Sequence, residues 1–407
     1  MVTGLGVIAP NGIGKEAFWS NLVAGKSAVD YITAFDPSPF PCKVAAEVKN
    51  FHPTDFVSER KTKMMGRFSH FAVAATRLAL EDSNLSITPS LSRDITICYG
   101  TSGGADVYES ATDGLRLEGI AGVKPWAALE YPPHATSTCI SIEFQIKGPA
   151  LSVSSNCCTG LDTIYTGFSR IVSGNATAAI VGSCEAPITP IGLGTFCALK
   201  ALTSRNSEPE KASRPYDLLR DGLVIGEGAA SLILEDVEFA LNRGANIYGE
   251  VLGYGAASES MDMRKGDLSG APMATAILQA VRNAALSPCD IDHVNAHGSS
   301  LPDFDVCDSN AFKQAFGQHA FRIPITSIKS MMGQPFSAAG TLQTVAACLA
   351  IKNQHVPPTI NQEVPDPRCD LDYVANKSRV ARVKRVLINA HSFGGSVSTL
   401  VIGKFEN

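Results

Sequence analysis

The sequence has few charged residues and no excess of positive charge. Charged residues make up 18% of the 407 residues, below the ~25% usual for globular proteins, and the formal net charge is -5. Nucleic-acid binding requires a basic surface that neutralises phosphates, so we predict no nucleic-acid partner. No apolar run reaches the ~18 residues that a membrane helix needs, so we predict no membrane span.

Patterns for metal binding, disulfides and secretion are also missing. The eleven cysteines are scattered singly, except for the adjacent Cys157 and Cys158. No C-x-x-C pair and no H-E-x-x-H helix occurs, so we predict neither a disulfide framework nor a metal site. The opening MVTGLGVIAPNG has no basic stretch followed by an apolar run. We therefore expect no signal peptide and a cytoplasmic location.

What is present is an alternation of two hydrophobic periods. Strand-like runs occur at 95–98, 178–181, 230–234, 248–252 and 386–389, and helical patterns at 68–80, 161–168 and 342–349. This order predicts an α/β protein with buried sheets. A glycine-rich segment at Val2–Gly6 recurs near Tyr248–Gly255, and we interpret the first as a tight turn after an edge strand. The recurrence suggests two halves, 1–240 and 241–407.

Cys157 stands where a strand runs into a helix. The apolar approach from Gly148 ends in small polar residues, and an amphipathic pattern begins at Leu161. A thiol at such an elbow lies near free N–H groups and the positive end of the helix, which favour a thiolate and an oxyanion. The alternative is a small core cysteine.

Three further loops carry groups that a cysteine nucleophile uses. His297 follows a short apolar strand and precedes a Gly-Ser turn, where α/β enzymes place chemistry. Lys329 leads into a helix, and the alternative is a lysine that extends to solvent along apolar neighbours. Phe393 lies in a glycine turn that either approaches a ligand or is an ordinary turn. We expect five further histidines in ordinary polar or amphipathic contexts to be surface residues, namely His52, His70, His293, His319 and His355.

Taken together, these segments resemble the β-ketoacyl-acyl-carrier-protein synthases, condensing enzymes of the thiolase superfamily. The resemblance runs nearly end to end, and its motifs are VTGLGV, GPALSVSSNCCTG, ALKALTSRN, ASRPYD, RDGLVIGEGAAS, VNAHGSS, SIKSMMGQPFSAAG, VPPTIN and SFGG. It is strongest to the elongating enzymes of type II fatty-acid and polyketide systems. It implies a thiolase-like fold, with two duplicated halves in an α-β-α-β-α core.

The resemblance implies a role for each candidate residue. Cys157 is the acyl-accepting nucleophile, and His297 is the first histidine of a Cys-His-His set. Lys329 lies behind the histidines, and Asp305 is a supporting acidic residue. Phe393 gates the acyl pocket, and its N–H pairs with that of Cys157 as an oxyanion hole.

The sequence departs from the family in three places. Gln334 stands where the family has its second histidine, which stabilises the enolate after CO2 leaves. An amide can donate the same hydrogen bond but cannot carry a proton or a charge. Phe304 replaces a glycine near the His297 loop, and Val397 replaces an asparagine near Phe393.

These departures leave alternatives open. The first is an active subunit that condenses an acyl-cysteine with a malonyl-carrier protein. The second is a partner similar to a chain-length factor, with weak or no activity of its own. A thiolase that uses CoA thioesters is less favoured, because the late cysteines Cys348 and Cys369 lie outside glycine-rich turns.

The resemblance also implies partners. We expect a homodimer, or a heterodimer with a related ketosynthase, and no bound cofactor, since phosphopantetheine arrives on an acyl carrier protein. Carrier proteins are acidic, and the sequence offers cations at i, i+3 and i+7 of one helix face. We predict that an acyl carrier protein docks on this face, which consists of Arg60, Lys63 and Arg67, with Lys61 and Arg205 nearby. The alternative is a helix face that is only solvated.

Overall fold

Strands and helices alternate along residues 1–406, the part of the chain that the computed structural model describes. The strands are β1 (Val2–Ala9), β2 (Gly12–Ile13), β3 (Asp30–Tyr31), β4 (Val44–Ala46), β5 (Ile95–Gly100), β6 (Ala150–Val153), β7 (Ala178–Glu185), β8 (Ile225–Gly226), β9 (Gly228–Glu235), β10 (Glu250–Ser258), β11 (His293–Asn295), β12 (Ile325–Thr326), β13 (His355–Val356), β14 (Arg379–Val380), β15 (Arg385–His391) and β16 (Ser396–Gly403). The α-helices are α1 (Lys15–Val23), α2 (Glu59–Thr62), α3 (Arg67–Ser83), α4 (Leu91–Asp94), α5 (Ala105–Glu118), α6 (Ala127–Glu130), α7 (Ala135–Phe144), α8 (Thr159–Val172), α9 (Pro190–Ala198), α10 (Val237–Asn242), α11 (Ala271–Asn283), α12 (Pro302–Phe316), α13 (Lys329–Met332) and α14 (Ala339–Asn353). None of these helices is long and apolar enough to cross a membrane.

Two large sheets form the scaffold. The first has the order β2-β1-β9-β7-β5-β6, and the second has the order β10-β16-β15-β11-β12. Each sheet mixes parallel pairs, such as β5 with β7 and β11 with β15, with antiparallel pairs, such as β7 with β9 and β15 with β16. Two small sheets, β3-β4-β8 and β13-β14, complete the topology.

The two large sheets enclose a pair of central helices. One apolar cluster joins side chains of both sheets to those of α8 and α14, among them Val7, Leu161, Leu342 and Leu400. On the far side of the first sheet, α3 packs into a second cluster, and α11 and α12 pack likewise on the second sheet. The layers are therefore α-β-α-β-α, which confirms the predicted fold class.

The recurring glycines are strand residues, so the interpretation of the first segment as a tight turn is wrong. Gly6 lies inside β1, and a Cβ there would collide with the backbone oxygen of Ala75 in α3. Gly255 lies inside β10, and a Cβ there would collide with the oxygen of Ala276 in α11. In both sheets glycine lets a covering helix approach the strand backbone closely.

Candidate active site

Cys157 lies at the predicted junction of strand and helix. After β6 the chain turns at Asn156, whose φ of 54° lies in the left-handed region that asparagine tolerates better than most residues. A 3-10 turn over Asn156–Cys158 then leads directly into α8 at Thr159. The Thr159 hydroxyl oxygen accepts a hydrogen bond from the Ser155 N–H at 2.8 Å, which fixes this junction.

The thiol of Cys157 is almost completely buried, with 2% of the residue exposed. The Gln334 Nε2 donates to its Sγ at 3.3 Å, and Sγ lies 3.6 Å from the Asn156 Oδ1. Burial raises the pKa of Cys157 to about 12, although the Lys329 charge and the Gln334 hydrogen bond act in the opposite direction. A backbone N–H at the helix start lowers the pKa in the expected direction, but desolvation outweighs this effect.

His297 is held as a neutral hydrogen-bond donor. It follows β11 and is buried, and its Nδ1 accepts the backbone N–H of His391 at 3.3 Å. The ring proton consequently lies on Nε2. Burial, with smaller contributions from Lys329 and His391, keeps the pKa of His297 well below its usual value. The imidazole can therefore donate through Nε2 without carrying a charge.

Lys329 lies behind His297 and does not extend to solvent. Its Nζ donates to the backbone oxygen of His297 at 2.6 Å and to the Gln343 Oε1 at 3.1 Å. Burial lowers the pKa of Lys329 to about 8, against the opposing effects of Cys157 and Asp308. The ammonium thus orients the histidine loop and places positive potential near the thiol.

Gln334 is fixed through its backbone beside the nucleophile. It forms a bridge to β8, donating its N–H to the Val224 oxygen at 2.8 Å and accepting the Gly226 N–H at 3.0 Å. Gly333 precedes it at a φ of 66°. Its side-chain Oε1 is buried and finds no hydrogen-bond partner within residues 1–406. The amide therefore directs one N–H at the Cys157 sulfur and retains a second N–H and a free acceptor oxygen.

Phe393 belongs to an aromatic cluster around the thiol. Its ring lies 5.3 Å from that of Phe304 and 6.3 Å from that of Phe196, which stacks on Phe336 at 4.6 Å. Phe336 and Cys157 are members of one apolar cluster, against which Phe393 packs. These rings separate the thiol from solvent.

Two cavities meet this aromatic cluster. The first is about 490 Å³ in volume, and its walls include Asn156, Phe196 and Phe336. The second is about 170 Å³, and its walls include Phe304 and Phe393. Both cavities thus border residues that pack around Cys157, although Cys157 itself is a wall residue of neither.

Asp305 supports the histidine loop and does not face the thiol. Its carboxylate accepts the N–H groups of Ser299 at 2.9 Å and of Tyr216 at 2.8 Å. The Arg220 Nε lies 3.3 Å away. Burial raises the pKa of Asp305 to about 7, and Arg220 opposes this.

Several buried polar residues that were not predicted from the sequence hold the site. Asp308 accepts the Gly298 N–H at 2.8 Å and the Asn389 Nδ2 at 2.9 Å. Gln343, inside the apolar helix α14, anchors Lys329. A polar side chain within an otherwise apolar stretch could have indicated these residues, since a buried polar group needs an internal hydrogen-bond partner.

The expectation that His293 is a surface residue is wrong. His293 lies in β11 and is fully buried, with its Nε2 2.9 Å from the Thr326 Oγ1. Burial lowers the pKa of His293 to about 3, so the ring is neutral. The polar residues around it in the sequence concealed a strand that is covered on both faces.

The prediction that Arg60, Lys63 and Arg67 share one helix face is wrong. Arg60 lies in the four-residue helix α2, whereas Arg67 begins α3, so a single helix does not carry both. Four of the five cations have carboxylate partners: Lys61 with Glu143, Lys63 with Glu59, Arg67 with Glu227, and Arg205 with Asp221. The helical spacing was counted across the break at Gly66.

Comparison with known proteins identifies the family of this chain. The sequence matches the family Beta-ketoacyl synthase, N-terminal domain over residues 1–240 and Beta-ketoacyl synthase, C-terminal domain over residues 248–363. It is 40% identical to the 3-oxoacyl-(acyl-carrier-protein) synthase 2 of Coxiella burnetii over 408 residues, 99% of this chain and 98% of that protein.

Solved structures extend the likeness to the whole fold. The ishigamide ketosynthase/chain length factor has a TM-score of 0.93 at 32% identity, over 100% of this chain and 98% of that chain. A type II polyketide ketosynthase, solved in complex with its acyl-carrier protein, has a TM-score of 0.91 at 34% identity, with the same coverage. The chain described here belongs to the β-ketoacyl synthase family.

Proposed function

We propose that this chain performs decarboxylative condensation of an acyl group on Cys157 with a malonyl-carrier protein. The observation that carries the proposal is a buried thiol with a neutral amide donor on its sulfur and a neutral imidazole on a loop held by Lys329, whose charge acts on the thiol. The Gln334 amide lies 3.3 Å from the thiol, and His297 presents Nε2–H from a loop that Lys329 anchors. Family membership supports the reaction class, and this geometry supports the assignment of roles.

Acyl transfer comes first. The Cys157 sulfur attacks the thioester carbonyl of the acyl carrier protein, its proton leaves with the departing pantetheine thiol, and a new thioester forms. The N–H groups of Cys157 and Phe393 stabilise the tetrahedral oxyanion. The Phe393 N–H suits this role because it donates to no backbone oxygen within residues 1–406.

Condensation follows at the same cysteine. His297 and Gln334 donate to the malonyl thioester oxygen, the carboxylate leaves as CO2, and the enolate carbon attacks the acyl-cysteine carbonyl. A carbon–carbon bond forms, the carbon–sulfur bond breaks, and the product is longer by two carbons. Because neither donor is charged, electrostatic stabilisation of the enolate is weaker than an imidazolium would give.

Phosphopantetheine arrives, in this proposal, on an acyl carrier protein through the cavity beside Phe393. Docking by the cations near α2 is retained as part of the proposal. Its test is charge reversal at Arg60 and Lys63, with binding of carrier protein measured at low salt. A loss of affinity supports docking there, and unchanged affinity places the carrier protein elsewhere. The cytoplasmic location stays a prediction.

A dimer, of this chain or with a related ketosynthase, is also proposed. Strand β6 lies at the edge of the first sheet, and Ala150, Leu151 and Ser152 on it are exposed. An unprotected apolar edge strand invites pairing with another chain. Sedimentation of the purified protein, alone and with a second ketosynthase, distinguishes the two assemblies.

The test of the function uses Cys157→Ala with Cys158→Ala as its control. We expect the wild type to form an acyl-thioester at Cys157 and to release CO2 from malonyl-carrier protein. Cys157→Ala should lose the thioester, whereas Cys158→Ala should retain it. Condensation by a folded Cys157→Ala protein would refute the proposal.

A partner role similar to a chain-length factor is the second candidate, and Gln334 is the observation that favours it. An amide at this place limits decarboxylation while leaving the nucleophile intact. Labelling of Cys157 without CO2 release, restored by a second ketosynthase, would establish this role. A thiolase is disfavoured, because Cys348 is buried inside α14 and Cys369 is buried beside Arg220.

A further inference from the structure

A segment following β10 covers the turn that carries Phe393. This cover segment, residues 259–270, is joined to the turn by two backbone hydrogen bonds. The Glu259 N–H donates to the Gly395 oxygen at 2.8 Å, and the Gly394 N–H donates to the Met263 oxygen at 3.0 Å. The tip of the cover segment is exposed, with Met263 81% accessible. The turn is thus held from outside by a short segment with an exposed tip.

A buried pair of side chains strengthens this junction. The His391 Nε2 lies 2.9 Å from the Glu259 Oε1, and the two side chains are 0% and 2% exposed. The two atoms are in close polar contact, but their geometry is not that of a well-aligned hydrogen bond. The Asp267 N–H donates to the same Glu259 oxygen at 3.0 Å, and the His391 ring packs on Phe304 at 4.3 Å. A carboxylate in such surroundings is costly without a partner, so His391 and Glu259 depend on each other.

His391 also touches the catalytic machinery through its backbone. Its N–H is the donor that His297 Nδ1 accepts at 3.3 Å, and Phe393 follows two residues later. A shift of His391 would therefore change both the orientation of the His297 ring and the position of the Phe393 turn. Neither consequence requires His391 to touch substrate.

We propose that His391 is a positioning residue, whose imidazole is anchored on Glu259 and thereby keeps His297 oriented and the Phe393 turn closed over Cys157. The inference rests on the roles proposed above for His297 and Phe393. It adds that the cover segment acts on both through one buried pair.

The test compares His391→Gln, Glu259→Gln and the double variant, with His319→Gln as control. His319 is a half-buried histidine outside this junction. Its Nε2 lies 2.9 Å from the Ile291 oxygen. Two rates are measured: alkylation of Cys157 by iodoacetamide, resolved by peptide mass spectrometry with exposed Cys289 as internal reference, and CO2 release from malonyl-carrier protein.

We expect the two rates to move in opposite directions. Opening of the turn should speed alkylation of Cys157 about fivefold or more in each single variant. Misorientation of His297 should slow CO2 release about tenfold or more. The double variant should resemble the single variants, because both remove one shared contact. His319→Gln should leave both rates unchanged.

An unchanged rate of Cys157 alkylation in both folded single variants would overturn the proposal. A decrease of both the alkylation rate and the CO2-release rate, together with lower thermal stability, would also overturn it. If His391→Gln does not fold, the nearly isosteric Glu259→Gln carries the test alone. Alkylation does not depend on condensation. A wild type that releases no CO2 therefore contradicts the proposed function while the alkylation rates still decide the role of His391.

Discussion

The two central helices begin alike, yet only one presents a cysteine thiol at its start. A 3-10 turn precedes each, Asn156–Cys158 before α8 and Phe336–Ala338 before α14, and the first residue of each turn has a positive φ, 54° and 41°. Near their starts the helices touch through Gly160 and Gly340, where a Cβ would lie 2.5 Å and 2.8 Å from the backbone nitrogens of the opposite helix. The local backbone is thus repeated.

The middle residue of each turn is Cys157 in one case and Ser337 in the other. Cys157 faces the Gln334 amide and the potential of Lys329. The Ser337 hydroxyl instead shares a hydrogen bond with Ser102 at 2.9 Å and is fully buried. The start of a helix alone therefore does not determine the surroundings of the side chain that it presents; the groups that lie opposite it do.

The largest effect should come from exchanging these two residues. Cys157→Ser should reduce acyl-enzyme formation by a factor on the order of 10³ or more, because an alcohol is a far weaker nucleophile here. Adding Ser337→Cys should not restore it, since the Ser102 hydroxyl rather than the Gln334 amide faces that position. Mass spectrometry of the acylated protein measures both variants. Acylation at residue 337 in the double variant would show that the helix start is sufficient.

Gln334 lies just before the second turn, and its amide is the group opposite the Cys157 thiol. Substitutions of Gln334 therefore measure what this amide contributes. Gln334→Leu removes the donor at similar volume and should slow CO2 release by about 10². Gln334→His should retain or increase it, since an imidazole donates the same bond. Both are measured with malonyl-carrier protein. Equal rates for Gln334→Leu and the wild type would mean that the amide takes no part in decarboxylation.

How much of this could be predicted from the sequence depends on how local each feature is. The Cys157 elbow follows from adjacent strand and helix patterns, which short windows reveal. The break between α2 and α3 does not, because Gly66 at the start of α3 is bound through its N–H to Glu130, 64 residues away. The contact between His391 and Glu259 likewise joins distant segments.

The raised pKa of Cys157 could not be predicted from the sequence for the same reason. The helix end is visible in the sequence, whereas desolvation arises from Phe336, Phe393 and other residues that folding brings around the thiol. Glycines raise a similar difficulty, since the same residue serves a turn or a close helix contact. Only the packed structure distinguishes these uses.

The contact between the two helices should tolerate added volume unequally. Gly160→Ala should destabilise the protein by about 1–3 kcal/mol, because its Cβ would meet the rigid backbone of Thr341 at 2.5 Å. Gly340→Ala should cost less at 2.8 Å. Gly194→Ala in α9 is the control, because its nearest neighbour would be a side-chain atom at 3.5 Å. Urea unfolding gives the three values, and a neutral Gly160→Ala would contradict the close contact.

The last prediction concerns the pH dependence of Cys157 alkylation. It shows whether burial or the helix end has the larger influence on the pKa of the thiol. Because burial raises the pKa of Cys157 to about 12, the thiolate fraction and the alkylation rate should rise about tenfold per pH unit from pH 6 to 7.5. Lys329, whose pKa burial lowers to about 8, loses its proton above that pH and no longer favours the thiolate, so the rise should become shallower between pH 8 and 9. In Lys329→Met the rate should be lower at pH 7 and its slope uniform. A wild-type rate that is already constant at pH 7 would show that the helix end and Lys329 together outweigh desolvation.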